Sequence, residues 1–335
     1  MDFSFLLKTQ ERVVKILQNG IKKNRTAQVY LFDGAKGTPK MQAALYLASF
    51  LLCDNKNACG ECLNCKRLEE GIHPRLFIVE PTKGEGVSSL PTIKKEQITE
   101  LEKEFTFSSI EKGPRVFIIN DIDRATVSSA NTLLKFLEEM QEDCYGILTT
   151  ENLASVLSTI KSRSQVVTFD KIDKDTLKDI YLSKGIDEEL ARVISCLTNN
   201  SQEGIELSKS EDLKNIIVLV KKISQAFLDG RNPILVFSEE GKFLINTNDK
   251  SLHQLFINLL IFFTNDRLYY ILGKKDEMIF QETIENWEES GISIREFGYK
   301  ETFRQLEAML EIKERLNYNV NPELLYYDLF IKCEV

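Results

Sequence analysis

Short runs of apolar residues alternate with longer amphipathic segments over the first half of the chain. Runs with the length and composition of buried strands lie at 29–32, 76–79, 115–119, 146–150 and 165–169. Between them, apolar residues recur at helical spacing over 3–24, 40–52, 94–105 and 128–139, with a helix or turn at 155–162. Apolar strands that alternate with helices predict an α/β fold, in which a parallel sheet is covered on both faces.

The alternation ends near residue 168, and helical patterns dominate the rest of the chain. These patterns lie at 173–184, 187–197, 203–208, 212–228, 252–272, 303–317 and 322–332. Residues 82–91 predict an exposed loop, and residues 242–248 predict a loop or hairpin. We therefore expect an α/β domain at 1–168, a small helical domain at 169–209 and a larger helical domain at 210–335.

Composition is that of a soluble globular protein, with 43% hydrophobic and 28% charged residues. The net charge of −8 argues against binding nucleic acid through the whole surface, which needs a dense cationic face. An acidic protein that works near DNA would do so through partners. No apolar run approaches the roughly 20 residues of a spanning helix, and no signal peptide is visible, so we expect a cytoplasmic location.

The loop after the first strand has the position of a phosphate-binding loop. Such a loop uses glycines so that backbone N–H groups can wrap phosphates, followed by Lys and by a Ser or Thr for magnesium. Gly34, Gly37 and Lys40 stand in register, but Pro39 lacks an amide donor and Met41 cannot bind magnesium. The loop is either a degenerate site that binds ATP weakly without hydrolysing it, or only a connection between strand and helix.

The third apolar run ends in polar residues where a nucleotide-driven motor places two acids. There, an Asp supports magnesium and a Glu orients the attacking water. Asn120 and Asp121 occupy these two positions. Asn is a poorer partner for a magnesium-centred site, and Asp is one methylene shorter than Glu. The pattern indicates a second defect, unless the acids here are only a solvated pair at a strand end.

Four of the seven cysteines, Cys53, Cys59, Cys62 and Cys65, fall within thirteen residues. Four thiolates can close a tetrahedral shell around Zn²⁺ with no open position, which is typical of a structural site. A disulfide would conflict with the expected location, and an iron–sulfur cluster would lack other redox features in the chain. His73 lies nearby, but four cysteines already suffice, so we expect a structural role for it.

Four further motifs follow in order along the chain. They are His73-Pro74, Asn131-Thr132-Leu133-Leu134-Lys135-Phe136-Leu137-Glu138-Glu139, Thr149-Thr150 and Ser162-Arg163-Ser164, of which the second is the most specific. Together with the loop after the first strand and the cysteines, these motifs resemble the bacterial DNA polymerase III clamp-loader subunits of the gamma/tau and delta-prime types, which are AAA+ proteins. The resemblance covers roughly residues 1–210, and residues 306–329 look like the end of the family's collar domain.

Within this family the gamma/tau type has intact ATP motifs, whereas the delta-prime type joins the zinc module to a defective ATP site. The two defects therefore favour the delta-prime type. The chain departs from the family at Ser164, where Cys is usual, and at Met140, where Pro is usual.

The resemblance implies an AAA+ domain, a helical lid and a helical collar. It further implies a stator in a pentameric loader, with gamma/tau and delta subunits, the sliding clamp and primer-template DNA as partners. By the same resemblance, Arg163 is offered in trans to the ATP of the neighbouring subunit. Its permanent charge and planar fork suit phosphate oxygens, although an isolated surface arginine would mean little.

Two other functions stay open at this point. An active gamma/tau-like ATPase would need Lys40 to work without a neighbouring hydroxyl, and Asp121 to act in place of Glu. A zinc-dependent nucleic-acid-binding module unrelated to motors would bind DNA by itself, with a steep dependence on salt.

Overall fold

A computed structural model describes residues 1–83, 91–106, 113–247, 249–291, 298–318 and 321–333. The chain divides into two compact units, Met1–Asp173 and Lys174–Val335. The first unit is the predicted α/β domain, and the second is helical throughout the part that the structure describes. The finer division of the second unit into a lid at 169–209 and a collar at 210–335 stays a prediction.

The first unit is built on a parallel sheet of five strands, counted over its described residues, in the order β2-β3-β4-β1-β5. All five predicted strands are confirmed, with β4 beginning two residues earlier than predicted. In parallel strands the carboxyl ends meet at one edge, so the loops after β1 and β3 flank the end of β4. The strands are β1 Val29–Asp33, β2 Leu76–Val79, β3 Arg115–Ile119, β4 Cys144–Thr150 and β5 Gln165–Thr168.

Both faces of the sheet are buried, as the apolar strands predict. Tyr30 and Phe32 of β1 belong to one apolar core, and Val29 and Leu31 belong to the other. Residues of α2–α4 contribute to the first core, and residues of α5–α7 contribute to the second. The helices of this unit are α1 Ser4–Thr9, α2 Glu11–Lys22, α3 Lys40–Leu52, α4 Leu63–Glu69, α5 Lys95–Thr106, α6 Val127–Glu138 and α7 Ser158–Ser162.

The single helix predicted at 3–24 is wrong, because the chain breaks at Gln10, where φ is −134°. The Gln10 side chain pairs with the backbone of Asp170 instead. Its Nε2 donates to the Asp170 carbonyl over 2.8 Å, and its Oε1 accepts from the Asp170 N–H over 3.1 Å. This tertiary contact overrides a periodic pattern that would suit one longer helix.

The second unit has ten helices in its described residues. The loop or hairpin predicted at 242–248 is wrong at 242–245, where buried Leu244 anchors a short helix. Residues 248 and 84–90, parts of two predicted loops, lie outside the described residues. None of the described helices is long and apolar enough to cross a membrane. The ten are α8 Lys174–Ser183, α9 Glu188–Leu197, α10 Ser201–Ser208, α11 Glu211–Asp229, α12 Pro233–Glu240, α13 Lys242–Ile245, α14 Lys250–Ile271, α15 Gln281–Glu289, α16 Tyr299–Arg315 and α17 Pro322–Cys333.

Candidate functional site

The loop between β1 and α3 is closed by its own lysine. Lys40 is buried, and its Nζ donates to the carbonyl oxygens of Gly34 over 2.7 Å and Ala35 over 3.0 Å, and to Oγ1 of Thr38 over 3.3 Å. All three ammonium protons therefore have acceptors within the loop. Burial lowers the pKa of Lys40, and nearby carboxylates, that of Glu151 foremost, oppose the shift.

Backbone N–H groups of the loop also bond to carbonyls of the same loop. The N–H of Lys40 donates to the Thr38 carbonyl over 2.7 Å, and the N–H of Thr38 donates to the Ala35 carbonyl over 3.2 Å. Pro39 lies between them and has no N–H. Phosphate binding depends on free N–H groups at the start of the helix, and three positions of this loop offer none: two N–H groups bond to the loop's own carbonyls, and Pro39 has no N–H. Met41, at the place of the magnesium-binding hydroxyl, packs against the apolar core.

Two glycines allow the loop to fold so tightly. Gly37 has a φ of 88°, in the left-handed region that favours glycine. A Cβ on Gly34 would lie 2.7 Å from Oγ1 of Thr38 and 2.8 Å from Cβ of Phe169, so only glycine fits there. Both predicted glycines thus shape the loop around Lys40.

Asn120 and Asp121 follow β3 as predicted, and Thr149 of β4 binds both. The Thr149 hydroxyl donates to Oδ1 of Asn120 over 2.7 Å and accepts from the N–H of Asp121 over 2.9 Å. Asp121 has a φ of 52°, and its Oδ2 lies 3.6 Å from Nε of Arg124. Burial raises the pKa of Asp121, and the Arg124 guanidinium opposes that shift. These two side chains are thus bound within their own chain.

Sequence reasoning missed how Thr149 and three acidic residues surround this edge. Besides Glu151, the carboxylates of Asp123 and Asp33 raise the pKa of Lys40. Oδ1 of Asp123 also accepts from the N–H of Glu151 over 3.2 Å. One feature could have indicated the role of Thr149, namely its position at the end of β4, the strand that lies between β1 and β3 in the sheet.

Replacing Thr149 with Val should lower the free energy of unfolding by about 1–3 kcal/mol, since it leaves Asn120 and the Asp121 N–H unpaired at a buried place. Urea unfolding of the purified chain measures this loss. Thr132→Val is the matched control, because the Thr132 hydroxyl donates to the Ser128 carbonyl at an exposed place. The control should change stability by less than about 0.5 kcal/mol, and equal losses in both variants would contradict the role of Thr149.

Arg163 lies directly after α7 with its side chain 40% exposed. Its Nη2 donates to Oε1 of Glu138 over 2.7 Å, and its Nη1 donates to the Thr159 carbonyl over 3.4 Å. The Glu138 side chain is itself 46% exposed. Exposed ion pairs contribute only about 0–1 kcal/mol, so the guanidinium can exchange this partner for another anion at little cost.

The predicted cysteine cluster forms. The sulfurs of Cys53, Cys59, Cys62 and Cys65 lie within 4.8 Å of one another, and all four are free thiols. Sγ of Cys59 is 3.7 Å from Sγ of Cys53 and 4.0 Å from Sγ of Cys65. A tetrahedral site with Zn–S bonds of about 2.3 Å needs sulfurs about 3.8 Å apart. The four side chains therefore fit a metal ion of that size.

Backbone N–H groups around the cluster favour the thiolate form that binds metals, whereas burial raises the pKa of the Cys65 thiol. The N–H of Cys62 donates to Sγ of Cys59, and the N–H of Cys65 donates to Sγ of Cys62, both over 3.4 Å. The first of these contacts is the main cause that lowers the pKa of Cys59. Lys56 and Ala58 each have a φ of 52°, which turns the chain tightly between the first two cysteines.

His73 connects the cysteine segment to the sheet, which agrees with the structural role expected for it. Its Nδ1 accepts from the N–H of Arg75 over 3.1 Å, so its Nε2 carries the proton and donates to Oδ1 of Asn64 over 3.2 Å. Asn64 lies in α4 and also donates to Asp54 over 2.7 Å. Both ring nitrogens thus have partners in the protein.

We compared this chain, which combines a closed loop, an exposed arginine and a cysteine cluster, with known proteins. Residues 9–173 match a family model described as the DNA polymerase III delta subunit. The chain is 33% identical to DNA polymerase III subunit delta' of Bacillus subtilis, over 97% of this chain and 96% of that protein. This chain belongs to the delta-prime family of DNA polymerase III subunits.

Members of related families are more distant from this delta-prime-family chain. Subunit tau of Bacillus subtilis is 26% identical over 73% of this chain, which spans 42% of that protein. A gamma subunit-related protein of Thermotoga maritima has a solved structure that is 16% identical to this chain, with a TM-score of 0.42. The match covers 95% of this chain and 98% of that protein's chain. A likeness at that score adds nothing to the assignment. The predicted resemblance to the clamp-loader subunits is confirmed by the relationship to subunit delta', and the predicted parallel sheet is confirmed by the strand order.

Proposed function

We propose that this delta-prime-family chain is the subunit of a clamp loader that does not hydrolyse ATP itself. It closes one end of a pentameric ring with gamma/tau and delta subunits, in the cytoplasm. That ring loads the sliding clamp onto primed DNA, using ATP bound by the neighbouring subunits. The loop closed by Lys40 carries the proposal, because it gives the lysine and the backbone internal partners where phosphates would need them.

Hydrolysis also requires a magnesium ion held by the protein and a positioned water molecule. Met41 and Asn120 stand where a hydroxyl and a carboxylate would support that ion. Asp121 stands where a glutamate would orient the water, but its carboxylate interacts with the Arg124 guanidinium, 3.6 Å away. The three defects act on the same reaction, so restoring one of them alone would not restore turnover.

Arg163 is the residue that we assign to the neighbour's ATP. An arginine supplied in trans stabilises the charge that builds up on the transferred phosphoryl group. The exposure of its side chain supports this role, as does its weak ion pair with Glu138. Glu138 would hold the guanidinium in place until phosphate oxygens, which accept two hydrogen bonds in parallel, replace it.

The four cysteines would hold a structural Zn²⁺ ion. Such an ion cross-links the chain and has no open position for chemistry. It would stabilise residues 53–65, a segment too short to form a core of its own.

The last two described helices support assembly into a ring. Tyr299, Phe303 and Leu310 on α16 and Leu324 and Ile331 on α17 are between 48% and 66% exposed. Exposed apolar groups of this kind on adjacent helices mark an association surface. We assign these helices to the contact with partner subunits, which agrees with the predicted collar.

The isolated chain should show no ATP turnover above background, and Lys40→Ala should not change that rate. The reason is that Lys40 already bonds within its loop. A colorimetric phosphate assay measures this, with a gamma/tau subunit assayed in parallel as the active reference. Turnover that Lys40→Ala abolishes would instead show an active gamma/tau-like ATPase.

A further inference from the structure

A second concave site lies in the first unit, near the amino ends of the strands. It is a cavity of about 410 Å³, lined in part by Thr26, Pro114 and Tyr145, which precede or begin β1, β3 and β4. The closed phosphate loop follows the carboxyl end of β1, so this cavity is separate from it. Its volume lies within the roughly 300–1,000 Å³ of sites that bind small ligands or single side chains.

Part of the wall of the cavity is apolar. It includes Ile21 of α2, Phe50 and Leu51 of α3, and Tyr145 of β4, all of them half-buried. Half-buried aromatic and aliphatic groups that converge on one cavity provide a pocket for an apolar side chain.

The rim of the cavity is basic. Lys22 ends α2, Lys56 lies between the first two cysteines, and both side chains are exposed. Neither lysine takes part in an ion pair within the part of the chain that the structure describes, and no carboxylate lines the cavity there. In a chain with a net charge of −8, an acid-free cavity between two lysines is selective for negative charge.

We propose that this cavity is a docking site for an acidic peptide segment of a partner protein, which inserts one apolar side chain between Lys22 and Lys56. The apolar side chain fills the pocket formed by Phe50, Leu51 and Tyr145. The peptide's carboxylates then meet the two lysines at the rim. Two cations are too few for the phosphate footprint that nucleic-acid binding needs, so the charge favours a short peptide.

The test uses the full chain and a fluorescein-labelled hexapeptide that contains two aspartates, two glutamates, one leucine and one phenylalanine. Fluorescence anisotropy should show saturable binding that weakens as salt is added. The double variant Lys22→Glu and Lys56→Glu should weaken binding at least about tenfold. The matched control, Lys8→Glu with Lys66→Glu, makes the same charge change at exposed places outside the cavity and should bind as the unchanged chain does.

Two changes in the probe separate the contributions. A peptide with serine in place of leucine and phenylalanine should lose most of its affinity, and one with lysine in place of its acids should not bind. Absence of saturable binding up to about 1 mM peptide would overturn the proposal. So would equal binding by the two double variants, or a single-stranded oligonucleotide that binds through Lys22 and Lys56 while the peptide does not. Dimerisation of the chain that the double variant abolishes would also overturn it.

Discussion

Replacing Arg163 with alanine should slow ATP hydrolysis at the neighbouring site of the reconstituted loader by about 10³-fold or more. Assembly should be unchanged, because the arginine is exposed and its ion pair with Glu138 contributes little stability. Single-turnover hydrolysis in the presence of primed DNA measures the rate. Gel filtration of the same complex checks its composition.

Three variants serve as controls for the Arg163→Ala result. Arg163→Lys keeps the charge but loses the planar fork, so it should restore only part of the rate. Glu138→Gln frees the guanidinium and should leave the rate largely intact. Arg12→Ala removes an exposed arginine of α2 and should change nothing. Hydrolysis that is the same with and without the Arg163 side chain would refute the role in trans.

Replacing Cys59 and Cys62 together with serine should reduce the bound zinc from one ion per chain to nearly none. Both side chains are half-buried, so the change removes two thiolate ligands without opening a large cavity in the core. Loss of the metal should loosen residues 53–65, and trypsin should then cut after Lys56 much faster. Elemental analysis and limited proteolysis measure the two effects.

Cys196→Ser is the control for the zinc experiment. Cys196 is half-buried like the two ligands but lies outside the cluster, so this variant should keep its zinc and its resistance to trypsin. Three results would contradict the assignment of a zinc site. They are an unchanged chain that contains no zinc, a double variant that keeps its zinc, and a visible absorption typical of iron–sulfur clusters.

The α/β domain could be predicted because its strands are apolar on both sides. In β1, Val29 and Leu31 face one core, and Tyr30 and Phe32 face the other. The run therefore lacks the alternation of apolar and polar residues that is typical of a strand with one face exposed to solvent. The cysteine cluster was predictable from spacing alone. The break at Gln10 was not, because it depends on Asp170, which is distant in sequence.

The closure of the phosphate loop could not be predicted from the sequence either. The pattern reveals that Pro39 and Met41 depart from a working loop, but the acceptors of Lys40 include two backbone carbonyls, which every residue carries. The part played by Thr149 was hidden for a related reason. Its partners, Asn120 and Asp121, directly follow the neighbouring strand β3, and only the sheet order brings them close to Thr149.

We propose that the chain has lost its own ATP chemistry and serves that of a neighbour. The most direct measurement compares DNA-stimulated ATP turnover of the reconstituted loader with the unchanged chain, with Lys40→Ala and with Arg163→Ala. We expect Lys40→Ala to leave turnover unchanged, and Arg163→Ala to lower it. If turnover instead falls with Lys40→Ala and persists with Arg163→Ala, the chain hydrolyses its own ATP and does not serve the neighbouring site.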